Sequence, residues 1–232
     1  AHLHPQMQEV FIRQIGAIVE KLNKEHEKDP EWPVQFLVST HSSHIANEAH
    51  FESIRYFLPS PANDRSTIWN TKIKDLRRGM SSTKPEDKKF LHQYLTLTRC
   101  DLFFADKAIL IEGTSERLML PIMIKKRDKA DTSGPKLRSQ YLTIMEVGGA
   151  YAHKFFDLLN FLELQTLIVT DLDPVTDVGG KKCLVHEANA TSNACINSWF
   201  GGGPNVPNDL LEKSDEEQIR GRIRIAYQCQ EV

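Results

Sequence analysis

A chain of 232 residues has room for one large domain or two modest ones, each with a real core. Its 40% hydrophobic and 26% charged residues match ordinary soluble globular proteins, and no apolar run approaches the roughly 18 residues of a membrane span. The net charge of -2 does not favour nucleic acid by itself, so a DNA-binding reading needs Lys and Arg gathered locally. Cys100, Cys183, Cys195 and Cys229 are scattered with no CxxC pair, the usage of a reduced, intracellular protein without a disulfide framework or structural zinc. The first residues show no basic stretch followed by an apolar core, so no signal peptide is expected. Beginning at Ala1 within a motif-like run, the chain reads as a fragment of a longer protein.

Met7, Val10, Phe11, Ile18, Val19 and Leu22 recur at three- and four-residue spacing and predict an amphipathic helix, opened by Pro5 and ending near Lys28. Val34–Val38 reads as a short buried strand running into Ser39-Thr40-His41-Ser42-Ser43-His44. Ile54–Leu58 and Ser66–Trp69 predict two more strands across a Pro/Asn/Asp turn. Lys72–Lys89, polar and rich in Lys and Arg, reads as a surface linker entering a helix around Lys88–Cys100. An alternating rhythm follows: strand Ala108–Ile111, helix Ser115–Lys126, strand Tyr141–Val147, helix Tyr151–Leu162, strand Leu167–Thr170, and a last strand over Arg222–Tyr227. Strands alternating with helices of this length predict an α/β fold with a parallel sheet and right-handed crossovers.

Ligands in such sheets collect outside the carboxyl ends of the strands. Glu112 follows the first strand of this second unit, and Asp171 and Asp173 follow the third, so the acids converge on one edge. Glu116 lies about one helical turn beyond Glu112, after a turn that Gly113 permits. Carboxylates gathered at one edge repel one another, and a hard cation such as Mg²⁺, which favours carboxylate oxygen and water, relieves this. Taken singly, Glu116 is equally a helix-start acid and Asp171-Leu172-Asp173 equally a solvated loop. Their joint placement on strand ends of one unit points to a metal site.

The run Ala108–Glu116 followed by Ile168–Asp173 resembles the TOPRIM signature of topoisomerases, primases and certain nucleases. More narrowly, Glu146-Val147-Gly148-Gly149, Thr170–Asp173, and Thr191-Ser192-Asn193 ahead of Trp199-Phe200 resemble the OLD (overcoming lysogenisation defect) family, to which the nuclease subunit of the Gabija phage-defence system is related. Ala1-His2-Leu3-His4-Pro5 resembles the residues that follow the Walker B acids of ABC-type ATPases of the OLD and SMC kind, and Gln35–Ser42 resembles their switch-histidine strand, with His41 as the switch. The resemblance implies an ABC-type ATPase remnant over residues 1–72, a basic linker and helix over 73–105, and a Rossmann-like TOPRIM nuclease domain over 106–232. It implies a two-metal endonuclease using Mg²⁺ or Mn²⁺, with Glu112, Glu116, Asp171 and Asp173 as catalytic metal ligands. It further implies a homodimer acting on DNA in the bacterial cytoplasm, with ATP used only by the full-length protein. No Walker A loop is present, and the family's carboxyl-terminal Lys has no counterpart before Val232. Lys181 and Lys182 do not match that position and receive no role.

Thr170 and Ser192 are further candidates for metal ligation, although both residue types serve commonly as caps. Lys125, Lys126 and Arg127 are candidate DNA contacts, with favourable cation placement at a helix end as the plain alternative. The His2-Leu3-His4 and His41/His44 pairs lack further zinc ligands at suitable spacing, and no Gly-x-Ser-x-Gly elbow surrounds Ser42 or Ser43. Two other functions compete: a non-catalytic DNA-binding or dimerisation module whose acids bind metal for structure only, and a primase-like nucleotidyl transferase, which would require nucleoside triphosphates.

Overall fold

In the computed structural model of the chain, the described residues are 4–25, 36–61, 69–98, 101–131, 133–201 and 203–228. The chain divides into two compact units, Ala1–Phe104 and Ala105–Val232. Among the described residues no helix is long and apolar enough to cross a membrane.

The first unit opens with helix α1 (Pro5–Glu25), which grips the short helix α2 (Ser43–Glu48) through polar side chains. Ser42 Oγ donates to Gln8 Oε1 at 2.6 Å, His44 Nδ1 meets Glu9 Oε1 at 2.8 Å, and Arg13 forks onto Glu48 at 2.6 and 2.8 Å. Strands β1 (Arg55–Pro61) and β2 (Trp69–Asp75) pair antiparallel with Tyr56 opposite Lys74. The turn of helix α3 (Leu76–Gly79) and helix α4 (Pro85–Thr98) complete the unit.

Two sequence expectations change here. Lys72–Lys89 is not a surface linker: its start belongs to β2, and Leu76 and Met80 within it are at most 1% exposed, as buried as Leu91 and Leu95 on α4. Phe36–Val38, expected as a buried strand, is irregular with Leu37 largely exposed, since among the described residues no strand pairs with it. The expectations on Ala1–Leu3, Val34–Gln35, Ser66–Ile68, Cys100 and Cys229 lie outside the described residues.

The second unit is an α/β sheet. Strands β3 (Lys107–Ile111), β4 (Leu142–Glu146), β5 (Gln165–Val169), β8 (Ile219–Arg220) and β9 (Ile223–Ala226) stand in the order β4-β3-β5-β9-β8. All neighbours are parallel except the β8–β9 hairpin. The central runs Ala108–Ile111 and Thr166–Val169 are apolar and rich in branched residues, as buried parallel strands require. Helix α5 (Thr114–Ala130) crosses from β3 to β4, and helix α6 (Phe156–Leu162), preceded by a 3-10 stretch over Gly149–Phe155, crosses from β4 to β5. The chain thus leaves β3 to one side for β4 and returns to the other side for β5, so the strand order switches at β3/β5.

Two-residue strands β6 (Pro174–Val175) and β7 (Ala190–Thr191) pair antiparallel beyond β5, and lead into helices α7 (Ala194–Phe200) and α8 (Pro207–Leu211). Trp199 on α7 is 1% exposed and meets Phe156 edge-on at 5.4 Å, tying the loop excursion to the crossover helix. Ile111, Phe155, Leu158, Leu159, Ile168, Ile196 and Ile225 fill the surrounding core.

Candidate metal centre at the carboxyl edge of the sheet

Four parallel strands deliver their following residues to one edge: Glu112 after β3, Val147 after β4, Thr170 and Asp171 after β5, and Tyr227 and Gln228 after β9. Glu112 and Asp171 lie at the switch between β3 and β5, the usual ligand position of an open α/β sheet. The contact is direct: Glu112 Oε1 accepts from the Asp171 backbone N–H at 3.0 Å, and from the Thr170 hydroxyl. A third donor on the same oxygen is Asn193 Nδ2 at 3.0 Å. Among the described residues Oε2 of Glu112 accepts no hydrogen bond.

Asp171 is exposed, and its Oδ1 accepts from Gln228 Nε2 at 2.6 Å while Gln228 Oε1 takes the Leu172 N–H at 2.8 Å. Asp173 sits at φ 44°, a left-handed conformation that costs a non-glycine residue about 1–3 kcal/mol unless its surroundings fix it. They do: its carbonyl accepts from the Ser192 N–H at 3.0 Å and Ser192 Oγ at 3.2 Å, and the Thr191 hydroxyl donates to the adjacent Leu172 carbonyl. The β6–β7 pairing therefore lays Ser192 and Asn193 against Asp171–Asp173.

Glu116 is placed differently. Its Oε2 accepts from the Gly113 N–H at 3.0 Å, closing the first turn of α5, and no hydrogen bond joins it to the other three acids. The local energetics are ordinary: an acid in the first helical turn satisfies an otherwise orphaned N–H. Thr170 is 3% exposed and works as a donor to Glu112, whereas Ser192 is exposed and bonds backbone. Lys125, Lys126 and Arg127 are exposed on the last turns of α5, where Arg127 pairs with Asp131 at 3.1 Å. Lys125 also lines a shallow groove with Asp128, Lys129, Lys136 and Arg138. His41 lies exposed in the irregular segment before α2, in the first unit.

Asn193 and Gln228 at this edge escaped the sequence reading as site residues, and Lys182 was weighed there without receiving a role. Asn193 and Gln228 contact the acids directly, and Lys182 Nζ stands 3.8 Å from Asp173 Oδ1. Lys182 is 85% exposed, so this pair is weakly held. A signal existed for Asn193, since an Asn ahead of an apolar helical run reads as an N-cap, but nothing in the sequence aims its amide at the acids. Cys195 is fully buried beside them; burial foremost, and then the Glu112 charge, push its thiol up to about 12, so it stays protonated.

The donor set suits a hard cation. The partners of Glu112 are neutral, leaving its charge and that of Asp171 uncompensated by any side-chain cation among the described residues. As the side chains stand, no three His, Cys, Asp or Glu of the described residues form a group that could enclose an ion.

Residues 103–173 match the family described as overcoming lysogenization defect protein-like, TOPRIM domain, and residues 1–46 match an AAA ATPase domain. Endonuclease GajA of Bacillus cereus (strain HuB5-5) is 29% identical over 234 residues, covering 97% of this chain. The chain spans 32% of the length of that relative.

Proposed function

The chain carries a TOPRIM domain of the overcoming-lysogenization-defect type behind an AAA-type ATPase segment, and from that premise we propose that it contributes the cleavage centre of a divalent-metal-dependent DNA endonuclease. The observation that carries this reading is the junction of Glu112 with the Thr170-Asp171 turn across the β3/β5 switch. It is supported by the endonuclease relative.

In this reading Glu112, Asp171 and Asp173 hold Mg²⁺ or Mn²⁺, and Glu116 enters the set only by leaving its bond to Gly113. Two ions would supply Lewis acidity and orientation at the scissile phosphodiester. The chain's own work is to fix those oxygens: Thr170 and Asn193 pin Oε1 of Glu112, Gln228 pins Asp171, and the Ser192 contacts hold the left-handed turn at Asp173. Lys182 stands 3.8 Å from Asp173 and suits a contact to the DNA backbone. A covalent tyrosine route is disfavoured at this edge, because the Tyr227 hydroxyl donates to the Leu210 carbonyl at 2.8 Å and burial pushes its pKa up.

DNA is the substrate in this proposal, with Lys125, Lys126 and Arg127 as backbone contacts. The segment over residues 1–72, with His41 as switch, couples cleavage to ATP in the full-length, dimeric, cytoplasmic enzyme. The test is supercoiled plasmid incubated with Mg²⁺ or Mn²⁺. Nicked and linear products without protein–DNA adducts are expected, and Asp171→Ala should abolish them; cleavage that survives this change places the site elsewhere. Metal-dependent DNA binding with no cleavage under either ion would instead favour a non-catalytic module.

A further inference from the structure

We infer that Asn193 is the positioning residue of the centre, setting Glu112 and Asp173 for the cation through its side-chain amide; this rests on the metal-site reading above. The amide orientation follows from its surroundings. Asn193 Oδ1 accepts from the backbone N–H groups of Cys195 and Ile196 at 3.0 and 3.1 Å, which caps α7. With the oxygen committed to two donors, the NH₂ group has to face the other way.

On that side four acceptors crowd around one nitrogen. Thr170 Oγ1 lies at 2.8 Å, the Asp171 carbonyl at 2.9 Å, Glu112 Oε1 at 3.0 Å and Asp173 Oδ2 at 3.3 Å. Two N–H groups shared among four acceptors do not select one partner; they gather all three acidic positions around a fixed point. Asn193 is 2% exposed, so water does not compete for the amide and the bonds gain from the low local dielectric.

The arrangement has a directional consequence. Thr170 and Asn193 both act on Oε1 of Glu112, which leaves Oε2 without a hydrogen bond among the described residues; on Asp173, Asn193 takes Oδ2 while Oδ1 is the oxygen near Lys182. Glu112 thus has one oxygen anchored and one unbonded, and Asp173 has one anchored while its other faces the exposed Lys182. Neutral donors do this without cancelling the charge that a cation needs, which an Arg or Lys in the same place would do. Because α7 is tied through Trp199 to Phe156, the helix that Asn193 caps gives the amide a rigid mount. Groups that orient ligands in this way commonly change metal affinity by about 10–100-fold when removed.

The cap and the amide are separable. Asn193→Ser retains a capping oxygen, since Ser and Asn are near-equal caps, but removes the NH₂ group. Mn²⁺ affinity is read on the full chain from the spin-resonance signal of free Mn²⁺, and the metal-free thermal midpoint in parallel. The expected result is Mn²⁺ binding weakened by about 10-fold or more in Asn193→Ser, with a lowered metal-free midpoint that still leaves the chain folded at the assay temperature. Thr170→Val, which leaves the cap intact, should also weaken Mn²⁺, and the double variant should lose less than the product of the two losses, because both residues hold Oε1. Wild-type Mn²⁺ affinity in Asn193→Ser overturns the inference and leaves the metal site standing. If Asn193→Ser does not fold, an unchanged Mn²⁺ affinity in Asn193→Thr, which likewise keeps a capping oxygen and lacks the NH₂ group, overturns it. A wild-type chain that binds no Mn²⁺ at millimolar concentration overturns both.

Discussion

Oε1 of Glu112 holds three neutral donors, and this makes the side chain a test of geometry against charge. In Glu112→Gln the remaining carbonyl oxygen can still accept those donors, so the fold and thermal midpoint should stay close to wild type. The carboxylate charge is lost. Plasmid nicking should fall by more than about 100-fold, beyond the range for a group that only orients a ligand. A Gln variant that still cleaves at wild-type rate would show that Glu112 is not a ligand. The residue scale also marks how far the acids were legible. Glu112, Asp171 and Asp173 could be read from strand ends, because a strand boundary fixes which edge a following residue reaches. Glu116 could not be separated from an ordinary cap by spacing alone, and its bond to Gly113 is the capping alternative made visible.

Among the elements, β3 and β5 carry the site, and their registered centres, Leu110 and Ile168, are both fully buried. Ile168→Ala should cost about 2–5 kcal/mol in a urea titration, through lost burial plus the cavity left behind. A cost below 1 kcal/mol would mean that this part of the core collapses freely. At the far edge, the turn before β8 is held by Glu217, which accepts from Lys213 Nζ at 2.7 Å and from the N–H and hydroxyl of Ser214. Lys213 foremost, with the Ser214 donors, lowers the Glu217 carboxyl to about 2. Its folded pKa lies below the ordinary value of about 4.5, so its contribution is complete above that value and is lost as pH falls toward about 2. Thermal midpoints of Glu217→Gln and wild type should therefore converge over that window and differ above it. A difference that persists unchanged to pH 2 would exclude the titration as its cause. The elements most open to sequence reading were those with a long enough pattern: α1, β3, α5, β4, β5 and β9. The two-residue strands β6 and β7 carry no periodicity to read, yet they bring Asn193 to the acids.

For the molecule as a whole, a net charge of -2 leaves DNA affinity to local fields. Lys125 and Lys129 face one groove with Lys136 and Arg138 at the end of α5. Lys125→Gln should weaken DNA binding equally across sequences and reduce the slope of log affinity against log salt by about 1. An unchanged slope would remove this cluster from the DNA path. The alternation of strand and helix after Ala105, and the carboxylates at strand ends, were determined by the sequence alone, since they depend on local periodicity and on where each strand must stop. The α/β class and the identity of the edge followed from the same local rules. What tertiary structure decided was everything that depends on pairs distant in sequence. It folded the basic run after Lys72 into the first unit, left Phe36–Val38 without a strand partner among the described residues, and turned Glu116 to its own helix. It also set the Asn193 amide within 3.3 Å of two acids 81 and 20 residues away. A hydrogen bond across such a separation has no spacing signature; it exists only once the sheet order has brought its two ends together.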